Sequence, residues 1–87
     1  MMIKPIALAL TISTLPYTVF ATPAVGDRVG TNPTDATAAL EKSGCKVSDF
    51  EPEGGQIEAK CSDAGGKAWE VYIDPKSGKV SQIKDGD

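Results

Sequence analysis

The segment that most limits what this chain can fold into lies at its start. Ile6 to Leu15 (IALALTISTL) is an uncharged, mostly apolar run preceded by Lys4. Pro16 interrupts it, and Val19-Phe20-Ala21 places small residues at the two positions a signal peptidase reads. The run is far short of the roughly 20 residues needed to span a bilayer. The pattern predicts a cleavable secretory signal over residues 1–21, export to the periplasm or beyond the cell, and no stable membrane insertion after cleavage. No cysteine directly follows the apolar run, so no lipid anchor is expected. Cleavage leaves 66 of the 87 residues. That is one small domain, of a size that buries only about 60% of its unfolded surface.

Composition then narrows the chemistry. With Lys4 gone, eight basic residues face twelve acidic ones, a net charge near −4. An acidic domain without histidine lacks the basic footprint that nucleic acid or an anionic membrane requires. The missing histidine also removes the commonest general base. No G-x-S-x-G, H-E-x-x-H or P-loop pattern occurs. The residues call for no catalytic group, no cofactor and no metal. Two cysteines remain, Cys45 and Cys61, without C-x-x-C spacing. In an oxidising compartment an even count predicts a bridge. Closing the 15-residue loop between them restricts the unfolded chain by about 3 kcal/mol in the entropy model.

Along the mature chain, residues 22–32 read as an extended leader that docks Val25 and Val29. A three-turn helix follows. Asn32 suits its N-cap, Pro33 its first position and Asp35 its first turn. Ala36, Ala39 and Leu40 share a face, and Gly44 is placed to close the C-terminus. Four strand candidates come next: Cys45 to Glu51, Gln56 to Ser62, Lys67 to Asp74 and Lys79 to Lys84. The turns between them are Pro52-Glu53-Gly54-Gly55, Asp63-Ala64-Gly65-Gly66 and Pro75-Lys76-Ser77-Gly78. Such short turns make neighbouring strands antiparallel. The expected fold is α+β: one short N-terminal helix packed on a four-stranded antiparallel meander, with one disulfide. Setting Glu51 opposite Gln56 puts Phe50 opposite Ile57 and leaves Cys61 one residue from facing Cys45. Val80 and Ile83 are out of phase, which predicts a bulge or fraying in the last strand.

Alternation in the third strand separates two faces. Trp69, Val71 and Ile73 turn toward the helix as core; Ala68, Glu70 and Tyr72 turn the other way. Tyr72 and Glu70 are therefore the candidate partner contacts. Asp49, Glu51, Glu53 and Glu58 cluster around the first hairpin and read as a solvated acidic face. Their alternative role is to bind a cation or small ligand.

The stretch Trp69 to Val80, W-E-V-Y-I-D-P-K-S-G-K-V, resembles the C-terminal hairpin of PepSY domains, the modules of peptidase propeptides and of many small exported bacterial proteins. Ala36-x-x-x-Leu40-x-x-x-Gly44 followed by Val47 is similar to that family's helix and first strand. The resemblance covers about residues 33 to 83, within a domain placed at 33–85. The cysteine pair is not a general feature of the family. The resemblance implies a helix on an antiparallel sheet and a non-enzymatic binding module that inhibits or modulates a peptidase or another envelope protein. Trp69, Val71, Ile73, Asp74, Gly78 and Val80 are its matched structural positions.

Overall fold

A computed structural model describes residues 22–86. The signal expected over residues 1–21 lies outside the described residues. The helix α1 spans Pro33–Lys42, and four strands follow: β1 Lys46–Glu53, β2 Gln56–Ser62, β3 Ala68–Ile73 and β4 Val80–Asp85. They form one antiparallel sheet in the order β1-β2-β3-β4. The α+β meander read from the sequence is the fold observed.

Local chemistry sets each end of α1. Asn32 is extended and its Oδ1 accepts the Asp35 N–H at 2.8 Å. Its Nδ2 donates to Asp35 Oδ2 at 2.9 Å, so the two side chains hold the first turn reciprocally. At the other end Gly44 takes φ 92°. The Cys45 N–H then donates to Leu40 O and the Gly44 N–H to Glu41 O, both at 2.9 Å. This Schellman closure delivers the chain from α1 straight into β1. Ala36 and Leu40 turn onto the sheet, where they meet Ala59, Cys61, Val71, Ile73 and Val80. Leu40, Ala59 and Val71 have no exposed surface. Alanine at two helix positions (Ala36 buried, Ala39 half-buried) lets the helix lie close to the strands.

The first hairpin differs from expectation. Pro52 and Glu53 belong to β1, and the turn is Gly54-Gly55 alone, with φ of 57° and 85°. Two successive left-handed residues make the two-residue turn that matches strand twist, and glycine is the residue that takes both without strain. Glu53 therefore pairs with Gln56, Glu51 with Glu58 and Phe50 with Ala59. The pairing is two residues from the one anticipated, and a two-residue shift leaves every side chain on its original face. A bulge between Val47 and Asp49 absorbs the mismatch further along. Pro52 sits on an outer strand, where its missing N–H costs no ladder bond. The neighbouring Phe50 N–H donates to Asp49 Oδ1 at 2.9 Å.

Cys45 and Cys61 are bonded, with Cα atoms 5.3 Å apart. Both are buried, 1% and 4% exposed. Cys61 faces Val47 rather than Cys45. The bridge thus joins the helix–strand junction to β2 instead of linking facing residues. The irregularity expected in the last strand is also present: Tyr72 pairs with Gln82 and Ile73 with Val80, leaving Ser81 as the extra residue.

The leader docks through one valine, not two. Val29 is 7% exposed but Val25 is 63% exposed. The difference follows from the backbone. Val29 N–H donates to Gly78 O at 2.7 Å, Val80 N–H to Asp27 O at 2.9 Å and Gly26 N–H to Val80 O at 2.8 Å. Residues 26–29 thus lie along the β3–β4 hairpin, while Val25 precedes a turn at Gly26 (φ 98°) and faces solvent.

Candidate functional site

Because strand residues alternate, the sheet has a buried face under α1 and an opposite face that no described helix covers. Each sequence-selected residue can be placed on one of them. Val71, Ile73 and Val80 are buried on the helix side, at 0%, 3% and 2% exposure. Trp69 is only half-buried, at the rim of that core. Its Nε1–H donates to Asp63 Oδ2 at 3.0 Å, and Lys67 Nζ lies 4.8 Å from its ring. The same Asp63 accepts the Gly65 and Lys67 N–H groups on Oδ1. The bonds from Trp69 and from the backbone hold the Asp63 carboxyl below its ordinary pKa. Trp69 therefore ties the β2–β3 turn to the core edge.

Asp74 and Gly78 organise the last hairpin. Asp74 Oδ1 accepts the Lys76 N–H at 2.8 Å and the Ser77 N–H at 3.3 Å. These bonds lower its carboxyl's pKa. Gly78 adopts φ 72°, and a Cβ there would lie 2.9 Å from the Gly30 carbonyl atoms. The turn requires this glycine, and so does the leader backbone passing over it.

The opposite face carries the two contact candidates. Glu70 and Tyr72 both lie on it half-buried, and Tyr72 Oη–H donates to Glu70 Oε1 at 3.3 Å. Facing Tyr72 across β2 is Glu58, and facing Glu58 across β1 is Glu51. Lys60 binds Glu51 at 3.1 Å. Lys84 Nζ stands 5.3 Å from the Tyr72 ring centre. Glu58 departs from the solvated acidic hairpin that the sequence suggested: it is 6% exposed. Its backbone lies in an inner strand and its side chain is covered by neighbours on the same face. Among the described residues, no hydrogen bond or ion pair reaches its carboxylate. Loss of water raises its pKa first, and the Glu70 carboxylate raises it further; Lys60 works against both, while Glu51 and Glu53 add to the rise. The Tyr72 hydroxyl is likewise pushed up, by burial and then by the Glu58 and Glu70 charges.

A second feature is an apolar groove of about 230 Å³ at the N-terminal end of α1, lined by Pro33, Ala36, Phe50, Pro52, Ile57 and Pro75 among others. Sequence reasoning missed it because its wall depends on Pro52 being strand rather than turn. Among the described residues no three His, Cys, Asp or Glu side chains converge closely enough to hold a metal ion. No described helix is long and apolar enough to cross a membrane.

A family model described as peptidase propeptide and YPEB domain, PepSY, matches residues 5–84. The chain belongs to the PepSY family. The match extends the resemblance seen at Trp69 to Val80 over nearly the whole chain, including the leader. PepSY domains of the propeptide type are generally non-catalytic, and PepSY domains are typically extracellular or periplasmic. No curated protein and no solved structure matches the chain.

Proposed function

We propose that this PepSY protein is an exported, non-enzymatic binding module that restrains or modulates a peptidase or another envelope protein. Its contact surface is the sheet face bearing Tyr72 and Glu70. One observation carries this reading: Glu58, beside Tyr72, is almost fully covered, and among the described residues no hydrogen bond or ion pair reaches its carboxyl, Lys60 acting on it only through space. A carboxylate covered without a direct partner in an inner strand is costly to keep, and an incoming partner would offset that cost. Membership of PepSY and the lack of histidine support a role without catalysis. The N-terminal apolar run supports export, with removal of residues 1–21.

The test is capture from the native envelope. A photo-crosslinking residue at Gln82, exposed on the same face next to Tyr72, is expected to trap a protein partner. The same residue at Ala38, on the exposed side of α1, is expected to trap none. Equal capture at both positions, or none at Gln82 together with unchanged extracellular proteolysis, would overturn the reading. The alternative, a small-ligand or cation-binding protein using the acidic hairpin, predicts a raised melting temperature with a divalent cation or basic compound.

A further inference from the structure

The covered, unpaired Glu58 also says what kind of group the open face is built to receive. We infer that this face binds a guanidinium group, an arginine side chain presented by the partner protein, between Glu58 and Glu70 and against the Tyr72 ring. This rests on the open face being the contact surface, as proposed above.

Three observations carry it. First, the acceptors are arrayed for a forked donor. Glu51, Glu58 and Tyr72 are directly opposite one another on β1, β2 and β3, and Glu70 is paired with Lys60. Glu58 and Glu70 are therefore diagonal neighbours on β2 and β3, a separation of about 7 Å that lies within reach of long side chains. A guanidinium spreads five N–H donors over one rigid plane and so reaches across two neighbouring carboxylates while its face lies on the ring, whereas an ammonium is a compact point charge. Second, the chain's own cations stop short of the acid. Lys60 is engaged by Glu51 at 3.1 Å, and Lys84 lies over the Tyr72 ring at 5.3 Å. The ring already attracts a cation, and Lys84 is exposed and free to yield its place. Third, the site is a face and not a cavity. None of the three grooves described by the structure includes Glu58, Glu70 or Tyr72. A small free cation there would keep most of its water. A side chain carried on a protein surface brings its own cover, so the charge pair forms with less solvent between the partners.

The experiment is an NMR titration of the exported, purified protein, labelled with ¹⁵N. The probes are an acetylated Gly-Arg-Gly-Arg-Gly amide, its lysine counterpart, and calcium or magnesium chloride alone. The arginine peptide is expected to shift the amides of Glu51, Glu58, Glu70 and Tyr72. Glu58→Gln should weaken that binding at least tenfold, and Lys60→Gln should strengthen it. Glu58→Gln removes no described hydrogen bond or ion pair, so a folded variant is expected; its amide spectrum checks this. Shifts spread over both faces, equal binding by the lysine peptide, equal response to a divalent salt, or unchanged binding in Glu58→Gln would each overturn the assignment. Gln82 crosslinking separates the two claims. A partner trapped at Gln82 whose capture ignores Glu58→Gln leaves the contact face standing and removes the guanidinium.

Discussion

The two faces of this sheet are drawn from the same four strands, taken on alternate residues. On one, Ala59, Val71, Ile73 and Val80 meet Ala36 and Leu40, and every group has an apolar neighbour. On the other, Glu51, Glu58, Glu70 and Tyr72 crowd together, and Glu58 is covered with no hydrogen bond or ion pair to it among the described residues. Burial alone does not separate them, since Glu58 is as hidden as Val29. The open face retains a covered acid with a raised pKa, and such groups cluster at functional sites.

The sharpest way to break this contrast is to damage each face in turn. Leu40→Ala removes a side chain with no exposed surface and is expected to cost about 3 kcal/mol. Tyr72→Ala should alter stability far less and reduce partner capture instead. Urea unfolding of both variants checks the pair, and a Tyr72→Ala loss equal to that of Leu40→Ala would erase the distinction. Replacing Cys45 and Cys61 together by alanine is expected to cost about 3 kcal/mol. The loss should appear in the denaturation midpoint without moving partner affinity. Gly78→Ala should cost about 2 kcal/mol, because the position has positive φ and the Gly30 backbone stands 2.9 Å from the added Cβ. Amide exchange should then accelerate at residues 26–30 first.

Smaller effects depend on pH. Asp63 and Asp74 have lowered pKa values in the folded protein. Their contribution is present above the ordinary carboxylate range and is lost as pH falls through their folded values. Glu58 has the opposite sign. Its contribution favours the folded state at low pH and declines as pH rises from the ordinary glutamate range through its raised value. Melting temperature against pH should therefore show a decline on the upper side of that range that Glu58→Gln removes. A parallel profile for the variant would mean that the open face holds no strained charge.

The fold was legible in the sequence because each signal was local. Asn32-Pro33 and Gly44 bound α1, alternation marks β2 and β3, and Asp74 to Gly78 spells its hairpin. The first register was not legible. Pro52 reads as a turn residue until one sees that Gly54-Gly55 alone can reverse the chain. Tyr72 and Glu70 were placed on the correct face by alternation. Glu58 was grouped with its acidic neighbours in sequence, and its burial was missed. That property depends on which residue of β3 lies opposite, a non-local fact. Correct pairing of β2 with β3 would have set Glu58 against Tyr72 from the alternation alone. The half-burial of Trp69 was hidden for a similar reason, since its anchor, Asp63, is in a turn six residues away.

The outer strand β1 has a consequence for how copies of this protein meet. A β-strand recruits a second copy of itself by offering free N–H donors along its outer side. Here the Phe50 donor is already spent on Asp49, Pro52 has none to offer, and the bulge at Ser48 breaks the spacing between. On the far side residues 26–29 are hydrogen-bonded along the hairpin that leads into β4. The β1 edge is thus poorly suited to adding a strand from a second copy, and the start of β4 is covered by the chain's own leader.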